Sequence, residues 1–382
     1  MATRPYKPRI LIFSQRNIFR NALFRCPLYE FEDLICQMDS AEILAPEGNL
    51  SSFQHKLATR LAYHAPIYPN PGVQQVLISG SYDVFLAVCG YPHDLLMLNA
   101  LPEWRSHCRI SVCLMDELWI KQMDSHRQFL SILKKFDIVV LYYSQSVVPL
   151  SERIERKCVF MPPGVDAILF CPYPSPPGRT IDVYSVGRRS ETTHLALLNM
   201  VANQRLFYVY DSIAGDQSIN PKEHRALFAN LAKRSRYFIV NPGLIDRPDK
   251  RGDQIEIGNR YFEGAASGTI MVGEHPTNTE FKHLFNWPDA VIRLPYGSDR
   301  IDQIISELDA QPERREEIRR TNVIQTLMRH DWAYRWEVML KLVDLEPLPE
   351  LLKRKEYLKT IVDSLVQQRP STRTSNREVV NA

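Results

Sequence analysis

Short runs rich in Val, Ile, Tyr and Phe alternate with longer amphipathic stretches along all but the end of this 382-residue chain. A run that is apolar at every position suits a strand covered on both faces, so the alternation predicts parallel sheets flanked by helices. In the first half it predicts strands at 9–14, 42–45, 82–89, 109–114, 137–141 and 157–161, with helices at 95–104 and 117–135. The second half repeats the rhythm. Strands are predicted at 181–186, 206–210, 237–240, 269–272 and 291–294, and helices at 191–203, 222–233, 259–267, 300–309 and 312–329.

Between the halves, six prolines fall in seventeen residues from Pro162 to Gly178. Such a stretch neither continues a helix nor sits in a central strand, and it reads as a linker. The predicted organisation is a first α/β domain over 1–162, a linker over 163–179, a second α/β domain over 180–345, an amphipathic helix over 346–368 and a disordered tail over 369–382. Two doubly wound, Rossmann-like domains of this kind place the ligand in the cleft between them.

Composition narrows the function. Lys plus Arg number 47 and Asp plus Glu 44, a net charge of +3, which argues against a protein built to hold nucleic acid. The apolar runs are too short to span a bilayer, so membrane contact is at most peripheral, through the basic face of the last helix. The first apolar run, Ile10 to Phe13, is too short for a secretory leader. Seven cysteines without a Cys-x-x-Cys pair predict neither a disulfide framework nor a zinc site, and a cytoplasmic location. Several signatures are absent from the sequence: Gly-x-Gly-x-x-Gly, the P-loop, Gly-x-Ser-x-Gly, His-Glu-x-x-His and the metal-holding Asp-x-Asp.

The segment with most chemical content runs from Ile255 to Val272. A loop at Gly258 leads through Asn259 and Arg260 into a helix of small residues that closes at Gly268 before an apolar strand. Its start offers free backbone N–H groups; Glu263, one turn in, suits a pair of ribose hydroxyls, and Arg260 suits a phosphate. This segment resembles the donor-binding signature of GT-B-fold glycosyltransferases of the broad group-1 family, in particular the spore-coat-maturation-like branch with its Arg-x-Phe-Glu pattern. Glu263, Ala265 and Gly268 stand in register with that signature. Ile255 stands where the family has its first Glu, with Glu256 next to it.

Three further segments are similar to the same family, in the same order. Pro163-Gly164-Val165-Asp166, followed by Phe170 and Pro172, resembles the crossing between domains. Asp182 to Arg188 resembles the first strand of the donor domain and its Gly-Arg turn, Gly187-Arg188. The family's nearby Lys is replaced by Ser190 to Thr193, which leaves Arg188, Arg189 and Arg260 to supply positive charge. Thr277 and Asn278 take the place of the family's glycine pair.

What the resemblance implies is a GT-B transferase with no metal and no cofactor beyond its co-substrate, a nucleotide-diphosphate sugar. It would move the sugar, with retention of configuration, to an acceptor whose nature is open: a glycan, lipid, protein or small molecule. On the acceptor side the candidates lie beyond the carboxyl ends of predicted strands. Asp116 and Glu117 are candidates for a base or for stabilising an oxocarbenium-like centre, and His93 is the runner-up. Trp119 offers a ring to a sugar face or to helix packing. Two other readings stay open: a catalytically silent nucleotide-sugar sensor or scaffold, and a nucleotide-sugar epimerase.

Overall fold

A computed structural model describes residues 9–19, 22–65, 67–210 and 220–367. The first domain carries strands β1 (Ile10–Phe13), β2 (Ala41–Leu44), β3 (Tyr82–Cys89), β4 (Cys108–Met115), β5 (Ile138–Leu141) and β6 (Lys157–Phe160). Its helices are α1 (Cys26–Met38), α2 (Phe53–His64), α3 (Arg127–Ile132) and α4 (Val147–Ile154), and the single turn α5 (Ala167–Phe170) that follows packs into the core of the second domain. The strands form one sheet, in the order β2-β1-β3-β4-β5-β6, with every pairing parallel.

The second domain carries β7 (Ile181–Ser185), β8 (Tyr208–Tyr210), β9 (Ser235–Val240), β10 (Ile270–Gly273) and β11 (Ile292–Arg293), ordered β11-β10-β9-β7-β8 and again parallel. Helices α6 (Glu191–Ala202), α7 (Pro221–Lys233), α8 (Pro248–Arg251), α9 (Asn259–Ala266), α10 (Thr279–Leu284), α11 (Ile301–Asp309) and α12 (Pro312–Arg329) surround it. The chain then runs through α13 (Trp332–Leu342) and α14 (Pro349–Gln367). No helix among the described residues is long and apolar enough to cross a membrane. The predicted tail at 369–382 lies outside the described residues.

The two-residue period of a strand explains why the central strands carry apolar residues at successive positions. In β1, Leu11 and Phe13 join the core on one face of the sheet while Ile10 and Ile12 join the core on the other. Phe85 and Ala87 alternate with Val84 and Leu86 in the same way, as do Cys113 and Met115 with Val112 and Leu114. In the second sheet Phe238 and Val240 face one core, and Tyr237 and Ile239 the other. All seven cysteines are free.

The predicted strands appear with boundary shifts of one or two residues at either end. Two predicted helices do not form as read. The stretch 95–104 belongs to a 3₁₀ segment, Pro92–Ala100, and 117–135 breaks into a 3₁₀ turn at Ile120–Gln122, α3, and a second 3₁₀ turn at Leu133–Lys135. The break has a tertiary cause. Trp119 is extended (φ −97°, ψ 131°), so that its ring is buried edge-on against Tyr143 at 4.7 Å, and the Ile120 N–H donates to Gln254 of the second domain at 2.8 Å.

Helix α13 packs back on the first domain: Trp332 and Trp336 enter the core formed by β1, β3 and α1. The Trp332 ring stacks on Phe31 at 4.6 Å, and Trp336 Nε1 donates to Asp39 at 2.9 Å. The chain thus crosses between domains twice, once near Val165 and once near Asp331, and the two crossings pair as a parallel bridge.

Helix α9 lies against the second sheet with almost no space. A Cβ added to Gly264 would stand 2.9 Å from both Met271 Sδ and Phe238 Cδ1. Gly264→Ala is therefore expected to cost about 1–3 kcal/mol through overpacking, read as a lower urea midpoint at unchanged slope.

Candidate functional site

In open parallel sheets the ligand crevice opens at the carboxyl ends of strands where the strand order reverses. Here those points are the ends of β1 and β3 in the first domain and of β7 and β9 in the second. Several side chains near the first are committed to internal pairs. Arg16 bonds Glu32 at 2.7 Å and Asp33 at 2.8 Å, and Gln15 donates to the Asp94 carbonyl at 3.2 Å. Asp94 is buried and receives Arg25 in a two-pronged pair at 2.6 and 2.9 Å, together with the N–H groups of Gly90 and Tyr91.

One strand over, β4 ends at Asp116 and Glu117. Their backbone N–H groups donate to the carbonyls of Cys89 and Gly90 at 2.9 Å, which fixes the pair beside the β3 loop. The Glu117 carboxylate accepts from Tyr91 Oη at 3.1 Å and Trp119 Nε1 at 3.4 Å. No hydrogen bond to the Asp116 carboxylate is found among the described residues. Burial, then the charge of Glu117, pushes the Asp116 carboxyl well above the usual carboxylate range. Burial raises Glu117 as well, against the pull of Trp119, Tyr91 and the positive charge of Arg188. His93 stacks on Tyr91 at 5.6 Å and sits 3.4 Å from Asp94, so it flanks this group rather than completing it.

In the second domain β7 ends in the Gly187-Arg188 turn. Gly187 takes φ +79°, a left-handed conformation that glycine adopts without strain. Arg188 is half exposed, reaches Asp246 at 3.1 Å and lies close enough to Glu117 to act on its proton affinity. Arg189 turns to the Tyr210 ring at 5.0 Å, with Tyr208 and His194 beside it. Gly258 is the N-cap of α9, so the first N–H groups of that helix, at Asn259 and Arg260, stand at its open end. Asn278 caps α10 by accepting the Phe281 N–H at 3.0 Å, and Thr277 before it is exposed.

Glu263 is fully buried. One carboxylate oxygen is ion-paired with Arg225 of α7, and the other accepts from Arg260 at 2.6 Å. Burial pushes its pKa up, but Arg260 and Arg225 outweigh burial and hold the carboxyl below its usual range. Arg260, expected from the sequence to face a phosphate, thus pairs with Glu263 in this structure. Trp119, offered as a sugar platform, is buried at the domain contact.

Of the residues that join the domains around this site, Gln145, Ser146, Arg225 and Gln254 were not singled out from the sequence, and Glu256 only as the neighbour of Ile255. Gln254 accepts the Ile120 N–H and donates to Ser146 Oγ at 2.9 Å and to Glu256 at 2.8 Å. Glu256 accepts the Gln145 N–H at 3.2 Å, and Gln145 Nε2 donates to the Ile255 carbonyl at 3.0 Å. Arg225 reaches Glu30 of α1 at 2.7 Å as well as Glu263. A signal for Arg225 was present: a charged residue shares a helix face with Phe228, Ala229 and Ala232. Among the described residues no group of three or more His, Cys, Asp or Glu side chains is placed to hold a metal ion.

Residues 196–341 match a family model described as glycosyl transferase-like. The fold is similar to that of sucrose-phosphate synthase from Thermosynechococcus elongatus, with a TM-score of 0.54 at 10% identity, covering 88% of this chain and 98% of that one. The UDP-forming trehalose-phosphate synthase of Burkholderia xenovorans gives 0.48 at 10% identity over the same shares. No curated protein matches the chain in sequence. The fold is GT-B, with a glycosyl transferase-like second domain. In this GT-B chain Arg188, after β7 of the second domain, lies near enough to Glu117, after β4 of the first, for its charge to act on that carboxyl.

Glu256 offers a direct check on the domain contact. Burial lifts its carboxyl from 4.5 to about 7. A raised carboxyl stabilises the folded state fully below the unfolded value and loses that contribution as pH rises through the folded one. Glu256→Gln, neutral throughout, is therefore expected to gain relative to wild type between pH 4.5 and pH 7, by roughly 3 kcal/mol at most. Urea midpoints measured at pH 5 and pH 8 give the comparison.

Proposed function

We propose that this GT-B chain transfers a sugar from a nucleotide-diphosphate donor to a hydroxyl acceptor, with retention of configuration and without a metal ion. The observation that carries the reading is the end of β4: Glu117, held by Tyr91 and Trp119, and Asp116 beside it have raised proton affinity, and the charge of Arg188, after β7 of the second domain, acts on Glu117. Acid–base groups and a fixed cation near one another are what departure of a diphosphate from a sugar requires. The glycosyl transferase-like second domain supports a nucleotide-sugar donor.

In this reading Arg188, Arg189 and the N–H groups at the start of α9 receive the diphosphate, whose developing charge they stabilise by fixed dipoles and cations. Glu263 takes the ribose, with Thr277 and Asn278 lining the same end of the second sheet. Glu117, held by Tyr91 and Trp119, faces the cationic sugar centre. Asp116, with no hydrogen bond found to it, accepts the acceptor's proton, and His93 flanks the acceptor side. The protein works in the cytoplasm and uses no further cofactor.

A panel of UDP-, GDP- and ADP-sugars, assayed with and without EDTA, tests this reading. Turnover should survive chelation, and Asp116→Asn and Glu117→Gln should each lower kcat by about 10²–10⁴-fold while nucleotide affinity stays within a few fold. Binding without turnover on any acceptor would favour a sensor, and a changed sugar without an acceptor would favour an epimerase.

A further inference from the structure

The carboxylate read here as the ribose seat is anchored from the other domain. We infer that Arg225, braced by Glu30 of the first domain, is the positioning residue that holds Glu263 for the donor's ribose. The inference rests on the reading of Glu263 as the ribose carboxylate and adds the residues that orient it.

The geometry is a chain of four charged groups from three helices. Glu30 of α1 accepts Arg225 Nε at 2.7 Å, Arg225 Nη1 pairs with Glu263 of α9, and Glu263 accepts Arg260 at 2.6 Å. Arg225 is almost fully enclosed and lies over the rings of Phe170 at 4.7 Å and Phe228 at 5.6 Å, so its guanidinium plane is fixed by packing as well as by charge. Glu30 is fixed in turn by Trp332 Nε1 at 2.8 Å and by the Asp166 N–H at 2.9 Å, both at the domain crossings. Arg260 is the partner with solvent exposure, its side chain 27% accessible, while Glu263 is enclosed, so a ribose reaches the carboxylate by taking the place of Arg260 while Arg225 holds it from behind. Arg225 gives one nitrogen to Glu263 and the other two to Glu30, so one oxygen of the Glu263 carboxylate is held from the first domain and the other, on Arg260, points in a set direction, which is what recognition of a diol needs.

A structural role alone would also make Arg225 important, so the test reads pH dependence. The charged groups facing Glu263 are Arg260 on its own helix and Arg225 on α7, with Glu30 behind Arg225 and Asp166 near Glu30. The Cys26 thiol at the start of α1 is pushed up to about 11 by burial and is neutral. The buried residues of α12, packed against α9, are Ile318, Asn322, Val323, Thr326 and Leu327, none of them charged. Without Arg225, burial is opposed by Arg260 alone and the Glu263 carboxyl rises. Ribose binding to an ionised carboxylate then weakens as pH falls.

Calorimetric titration of the full chain with UDP, GDP and ADP from pH 6.5 to 9 provides the measurement, with wild type as the reference for the diphosphate's own titration. Arg225→Gln is expected to weaken the preferred nucleotide about tenfold or more at pH 6.5, the scale of one lost charged hydrogen bond, and to recover towards wild type at pH 9. Arg225→Lys, which keeps the charge but not the contacts to both carboxylates, should bind less tightly than wild type yet keep the wild-type pH profile. If Arg225→Gln does not fold, the charge-balanced double variant Glu30→Gln with Arg225→Gln replaces it, with the same expectation. Wild-type binding together with a folded variant that binds equally well, or more weakly but with an unchanged pH profile, overturns the positioning role and leaves the donor site standing. Failure of wild type to bind any of the three overturns the donor reading itself.

Discussion

The chain of charge from Glu30 through Arg225 to Glu263 and Arg260 ties the two domains together at the point where the second one carries its most distinctive motif. Ions taken out of water are costly unless each finds a well-placed opposite charge and its remaining polar atoms find partners. Here the condition is met only when α1, α7 and α9 are all in place. Glu30 alone collects Arg225, the indole of Trp332 and the N–H of Asp166. The orientation of α9 is therefore set by the contact between domains and not by its own sheet alone.

Around that anchor the protein holds two acidic sites in opposite electrostatic states. Glu263 lies between two guanidinium groups and stays ionised below the usual range. Asp116 lies beside another carboxylate, and both burial and that neighbour raise it. Carboxylates driven apart in this way suit different tasks, one a fixed anion and the other a group that holds its proton more tightly. The Gln254–Glu256 contact with Ile120, Ser146 and Gln145 holds the walls of the cleft together beside them.

Much of the architecture was legible in the sequence because strands buried on both faces are apolar at every position, and β1, β3 and β5 show this plainly. The failure at 117–135 has a tertiary cause. Its apolar residues follow a helical spacing, yet the peptide groups of Glu117 and Ile120 find partners outside any helix, in Gly90 and Gln254. A hydrogen bond to a distant segment outweighs a local propensity worth a few tenths of a kcal/mol per residue. The motifs from Pro163 to Gly268 fall at the crossing between domains, after β7 and on α9, while Arg25, Glu30, Arg225 and Gln254 carry no motif.

The sequence by itself determined two parallel α/β sheets, the break between them, and the placing of Asp116, Glu117, Gly187, Arg188 and Glu263 at strand ends and a helix start. These follow from periods of two and 3.6 residues and from turn chemistry, all readable within a short window. Only the tertiary structure decided who partners whom. Arg225 meets Glu263 across 38 positions and Glu30 across 195, and Gln145 meets Glu256 across 111. Electrostatic pairing acts through space and is nearly indifferent to chain separation, so the groups that orient the site became visible only once the helices were packed.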